Sequence, residues 1–172
     1  SRAVLAFLYS VILSRGLHKV SDDLDDIEQS LIGRFGHCGQ EILNLMLVGQ
    51  ATSNVFDGTM SEAGMLLRGI PAAKCIDVPV GYLSELEAMR YITVGHRYKY
   101  PTCPIWVLGR PTHYTILFAH DAKIAKQSDQ QKLADVARKA FDLHAMDPES
   151  GMAMPEKLGD IFASFRLSYP EQ

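Results

Sequence analysis

Two side chains able to run thiol chemistry stand where this 172-residue chain favours it. Cys38 follows His37 and comes just before the apolar run "QEILNLMLVG", which reads as a helix. A helix N-terminus offers free N–H groups and a positive dipole end, both of which lower a thiol pKa. His113 opens the second of the two apolar runs in "PIWVLGRPTHYTILFAHD", residues 104–121. The first residue of a strand borders a cleft while its backbone stays anchored, which suits a general base that must hold its geometry. Cys38 and His113 together have the types of a nucleophile and its base. Plainer readings stand beside these: a small buried cysteine in a glycine-shaped turn, and a surface histidine at a hairpin mouth. Cys75 and Cys103 lie in proline-broken segments and make weaker candidates.

Metal chemistry has less support. Six histidines and three cysteines show no C-x-x-C or other ligand spacing. His113 and His120 are an odd number of residues apart, so a regular strand would send them to opposite faces. There is no phosphate loop and no dinucleotide glycine fingerprint. Residues 140–162 have the outline of an EF-hand, helix–acidic loop–helix. With Gly151 at loop position six, however, the first, third, fifth and twelfth positions are Met146, Pro148, Ser150 and Lys157. Calcium needs oxygen ligands there and a bidentate carboxylate at the last, so the segment is expected to bind none. No metal or cofactor is expected.

The elements that must carry these residues follow from periodicity and punctuation. Val4, Leu5, Leu8, Val11 and Ile12 form a helical stripe, with Ser1 as its expected N-cap and Gly16 as its stop. "SDDLDD", 21–26, reads as a solvated acidic face. The helix of "QEILNLMLVG" is apolar on most sides and is expected to be buried, capped by Gly49. Asp57-Gly58 marks a turn, and 66–81, broken by Pro71 and Pro79, reads as loop with short extended pieces. "YLSELEAMRYI" predicts a helix over 82–92. Two strands follow, Ile105 to Leu108 and 113–119, joined by Gly109-Arg110-Pro111-Thr112. Helices return at 131–145 and from Pro155. Helices mixed with a few strands, without a regular βαβ alternation, predict the α+β class.

Composition narrows the function. Hydrophobic residues make up 47% and charged residues 22%, enough apolar material for a core. A formal charge of −3 without a Lys/Arg cluster argues against a nucleic-acid surface. No apolar run approaches the ~20 residues of a membrane span, and no signal peptide is visible. An odd number of cysteines fits free thiols in a reducing intracellular setting, cytoplasmic or nuclear. The apolar stripe begins almost at residue 1, which is Ser, so the chain is expected to be a fragment, a processed product, or a protein trimmed to its folded core.

"LMLVGQATSNVFDG", "GYLSELEAMRYITVG" and "PIWVLGRPTHYTILFA" together resemble the MINDY family of deubiquitinases, in the branch with an EF-hand-like insertion after the histidine strand. The resemblance runs from about residue 6 to about residue 165. It implies a partial papain-like cysteine protease fold, with 1–125 the C-terminal part of a catalytic domain and 126–172 an EF-hand-like helical appendage. It also implies hydrolysis of ubiquitin isopeptide bonds, favouring the polyubiquitin that marks proteins for the proteasome. His113 maps onto the family's base. The family nucleophile lies in a "PC" motif preceding the helix that begins this chain, so it is expected outside residues 1–172, in an N-terminal portion that is this chain's partner. Cys38 has no counterpart in that scheme. Asn54 and Asp57, in "SNVFDG", take a cleft-ordering or ubiquitin-contacting role by the same resemblance, or are simply turn residues. An inactive ubiquitin-binding or scaffold module of the same fold is the alternative function.

Overall fold

The computed structural model describes residues 2–33, 35–62, 64–71, 78–144 and 152–168. They belong to two compact units, 1–126 and 127–172. The architecture is α+β.

In the first unit, helix α1 (Arg2–Arg15) is followed by α2 (Leu17–Asp23) at an angle of 81°. Gly16, at φ 91°, makes that corner, a conformation with little cost for glycine alone. Among the described residues no single helix is long and apolar enough to cross a membrane. Val11 and Ile12 pack on Val20, Leu24, Leu45 and Ala51, while Val4 and Leu5 of the same stripe stay exposed. The expected cap, Ser1, lies outside the described residues.

Asp23 departs from the expected solvated acidic face. It is buried, takes two hydrogen bonds from the Arg15 guanidinium (2.7 and 2.9 Å) and accepts the Ala51 N–H at 2.9 Å. The carboxylate in turn raises the Arg15 pKa. Asp25 accepts from Asn54 and from the Arg68 N–H. Asp23 becomes a buried acceptor and Asp25 a half-buried one, because the chain's next turns bring donors to them.

Helix α3 (Gln40–Val48) fills the middle of the unit, ending at Gly49 (φ 73°), whose N–H bonds to the Leu45 carbonyl. Leu43 and Val48 join Val55, Ile70, Val78, Tyr82, Val94 and Tyr98 in the larger core cluster. Strands β1 (Thr59–Glu62) and β2 (Met65–Arg68) form a separate hairpin. Strand β3 (Gly81–Ser84), the one-turn helices α4 (Glu85–Ala88) and α5 (His96–Lys99), and strands β4 (Ile105–Gly109) and β5 (Tyr114–Phe118) complete the sheet region. Sheet order is β3-β4-β5, with β3 parallel and β5 antiparallel to β4.

The helix predicted over 82–92 therefore begins as strand, through Ser84, and is helical only over Glu85–Ala88. Tyr82 and Ser84 are buried with period two, paired with Val107 and Gly109. Sheet pairing across more than twenty residues of sequence outweighs local helix preference, a term of at most ~1 kcal/mol per residue. Ser84 then caps α4 by accepting the Leu86 N–H at 3.2 Å, and Arg90, at φ 65°, closes it. Met89 and Tyr91 are exposed. In the proline-broken segment, Met65–Arg68 is strand and 72–77, with Cys75, lies outside the described residues.

The second unit holds α6 (Asp129–Asp142) and α7 (Leu158–Ser168), the latter entered through a 3-10 turn, Pro155–Lys157. Ser128 and Gln131 form a reciprocal capping box at the start of α6 (2.9 and 3.2 Å). Ala140 and Ile161 are buried, and His144 Nε2 lies 2.8 Å from Ser164 Oγ. The acidic loop between the helices, 145–151, falls outside the described residues.

Candidate active site

His113 is the last residue of a tight turn. Its carbonyl accepts the Arg110 N–H at 3.0 Å, and the strand proper begins one residue later than expected, at Tyr114. The imidazole is exposed. Thr112 Oγ1, 3.2 Å from Nδ1, is its single polar contact among the described residues. Nε2 is thus open to a reaction partner. The Arg110 side chain reaches Glu85 at the head of α4, 3.8 Å away, so the turn leans on the end of β3.

Cys38 is not that partner within these residues. It is half-buried in a loop closed by the Gly33 N–H to His37 carbonyl bond (2.7 Å) and the Gly39 N–H to Leu31 carbonyl bond (2.9 Å). Burial, with smaller contributions from Cys38 and Glu41, raises the Tyr114 pKa, so the thiol lies in the field of the Tyr114 phenol. No hydrogen bond joins Cys38 to His113. Cys103 is exposed just before β4, at the opposite end of the strand from His113. Among the described residues no three His, Cys, Asp or Glu side chains gather as a metal site.

Asn54 and Asp57 belong to a different place. Asn54 Nδ2 donates to Asp25 (2.6 Å) and to the Arg68 carbonyl (3.1 Å), tying the base of the β1–β2 hairpin to the chain after α2. Asp57 Oδ2 accepts the His96 N–H at 2.7 Å, the first of α5. That helix packs at the strand-start end of the sheet: the Trp106 indole donates to the Lys99 carbonyl (3.0 Å), and Gly81 has no Cβ to collide with the Tyr98 carbonyl. His113 follows the far end, where Gly109 pairs with Tyr114. The structure keeps Asp57 and His113 apart, and no contact links Asn54 to His113.

Sequence reasoning missed Asn44. Fully buried in α3, it donates to the Thr52 carbonyl (2.7 Å) and the Asn54 carbonyl (3.0 Å) and accepts from the Tyr98 hydroxyl (2.7 Å) and Gln40 (3.0 Å). The signal was present: one amide inside an otherwise apolar helical run has to be satisfied by something. Glu41, also buried, has one carboxylate oxygen without a partner. Two cavities, of about 300 and 530 Å³, lie beside Arg68 and between α1 and α3, and His113 lines neither.

Residues 1–149 match the family model described as "Deubiquitinating enzyme MINDY-3/4, conserved domain". The chain belongs to this family. It is 39% identical over 157 residues to human ubiquitin carboxyl-terminal hydrolase MINDY-3, covering 90% of this chain and 33% of that protein. The Drosophila melanogaster MINDY-3 homolog is 37% identical over 140 residues, 81% of this chain and 24% of that protein. A mouse protein named probable ubiquitin carboxyl-terminal hydrolase MINDY-4 is 38% identical over 132 residues, 74% of this chain and 17% of its own length. The chain thus spans about a third of the length of the MINDY-3 relatives it matches. No solved structure matches it.

Proposed function

We propose that the protein containing this chain is a cysteine-type ubiquitin isopeptide hydrolase, with His113 as general base and acid and the nucleophilic cysteine outside residues 1–172. The reading is supported by family membership and by the names of the relatives. The observation that carries it is the His113 imidazole, held by its backbone and by Thr112 on Nδ1 while Nε2 stands open. In that scheme Nε2 removes the thiol proton, the thiolate attacks the isopeptide carbonyl, and the imidazolium returns the proton to the departing lysine amine. Water then cleaves the thioester. The fold around it is papain-like. The preferred substrate is polyubiquitin of the proteasome-targeting type, met in the cytoplasm or nucleus, without nucleic acid or membrane. Asn54 and Asp57 order the cleft from a distance through the β1–β2 hairpin and α5. Residues 126–172 are an EF-hand-like appendage that binds no calcium.

One observation favours a second reading, a catalytically inactive ubiquitin-binding module: no thiol among the described residues contacts His113. Treating the full-length protein with a ubiquitin-based thiol-reactive probe separates the two. A covalent adduct on a cysteine outside residues 1–172 supports the hydrolase. Ubiquitin binding without an adduct and without chain cleavage selects the inactive module.

A further inference from the structure

Strand β5 has the make-up of an inner strand but lies at an edge. In its pairing with β4, the Arg110 N–H bonds to the His113 carbonyl and the Ala119 N–H to the Pro104 carbonyl. With the register Leu108↔Thr115 and Trp106↔Leu117, alternation turns the amides of 113, 115, 117 and 119 toward β4. The N–H and C=O groups of Tyr114, Ile116 and Phe118 therefore point to the open side. No hydrogen bond among the described residues reaches them. Their side chains are 48%, 74% and 63% exposed, and Leu117, on the other face, is 49% exposed.

An edge strand that meets water is ordinarily short, charged or proline-bearing, and its apolar residues alternate with polar ones. "YTILF" has no charge and no proline, and apolar side chains point both ways. Continuous apolar runs of that kind belong to strands covered on both faces. The strand leaves the turn that holds His113, and the matched relatives are about three times as long as the matched segment.

We infer that β5 is an inner strand of the complete protein, its outer edge paired through Tyr114, Ile116 and Phe118 with an extended segment from the part outside residues 1–172. This rests on the proposed function, which places the nucleophile in that part. The same pairing would hold the thiol's support beside His113, so assembly of the sheet and assembly of the site are one event.

Residue-resolved hydrogen exchange on the full-length protein tests this without reference to activity. The amides of Tyr114, Ile116 and Phe118 should exchange as slowly as those of Thr115 and Leu117, about a hundredfold or more below an open edge. Fast exchange at the three with slow exchange at the two would overturn the inference. A photo-cross-linking phenylalanine analogue at Phe118 should join residues outside 1–172 of the same molecule. A cross-link within 1–172 or to a second copy would also overturn it, as would protection that appears only with added ubiquitin. Ubiquitin-chain cleavage is scored separately. Protected amides in a protein that cleaves nothing remove the hydrolase and leave the strand pairing, and an open edge in an active enzyme does the reverse.

Discussion

Residues 54–58 and 110–113 both turn the chain between extended segments, yet the first is tied inward by several hydrogen bonds, with only Asp57 Oδ1 left unpartnered, and the second by few. Around the first, Asn54 bonds Asp25 and Arg68, Asp57 bonds α5, and the Gly58 N–H reaches the Ile70 carbonyl at 2.7 Å. Around the second, one backbone bond and one hydroxyl hold a histidine whose other ring nitrogen has no hydrogen-bond partner among the described residues. A turn whose polar groups mostly bond inward has spent them on the fold. One that leaves an acid/base group uncommitted keeps it for a partner, and substitutions at the two should therefore fail differently.

The largest effect is expected at His113. In the full-length protein, His113→Ala should lower cleavage of ubiquitin chains by ~10²–10⁴-fold, the usual worth of a positioned acid/base group. Circular dichroism and Tm should stay at the wild-type level, since the side chain has one exposed contact. An active variant, or an inactive one that has lost its fold, would break the contrast between the turns.

The inward-bonded region should show the opposite pattern. Asn44→Ala strands the Tyr98 hydroxyl and two carbonyls in the core and should cost about 3 kcal/mol by denaturant titration. Asp57→Ala removes the acceptor at the start of α5 and should cost about 1 kcal/mol, the usual worth of such a cap. If Asp57→Ala lowered turnover as much as His113→Ala with Tm unchanged, Asp57 would belong to the reacting groups instead.

Alkaline pH probes the same core more gently. Burial raises the Tyr98 and Tyr82 pKa values above the ordinary 10.0. Above pH 10 the unfolded chain releases these protons while the folded chain keeps them, so stability falls as pH rises through that point and is flat below it. Tm measured from about pH 8 to about pH 11 should show that break, and Tyr98→Phe should soften it. Smallest of all is Cys38→Ser. Its thiol makes no hydrogen bond to His113, so turnover should match wild type, and a loss comparable to that of His113→Ala would return Cys38 to the mechanism.

Several features were legible before any coordinates. The α3 run, its Gly49 cap, the Asp57-Gly58 turn, the 105–118 hairpin and the α6 stripe follow from periodicity and turn chemistry, which act over a few residues. What was misread depended on distant pairing. Residues 82–84 carry leucine and glutamate neighbours that favour helix, and only β4, some twenty residues later, makes them a strand. The aspartates at 23 and 25 look solvated until Arg15, Ala51, Asn54 and Arg68 arrive around them.

The candidate site divides along the same line. By itself the sequence determined that an imidazole would stand at the mouth of an apolar hairpin, because turn residues and β-branched runs set that locally. Tertiary structure alone decided that Asn54 and Asp57 serve the hairpin base and α5, that Cys38 makes no hydrogen bond to His113, and that Asn44 is the hub of the core. The physical reason is that hydrogen bonds and burial depend on which groups meet in space, and side chains 8 to 54 residues apart in the chain meet at these points.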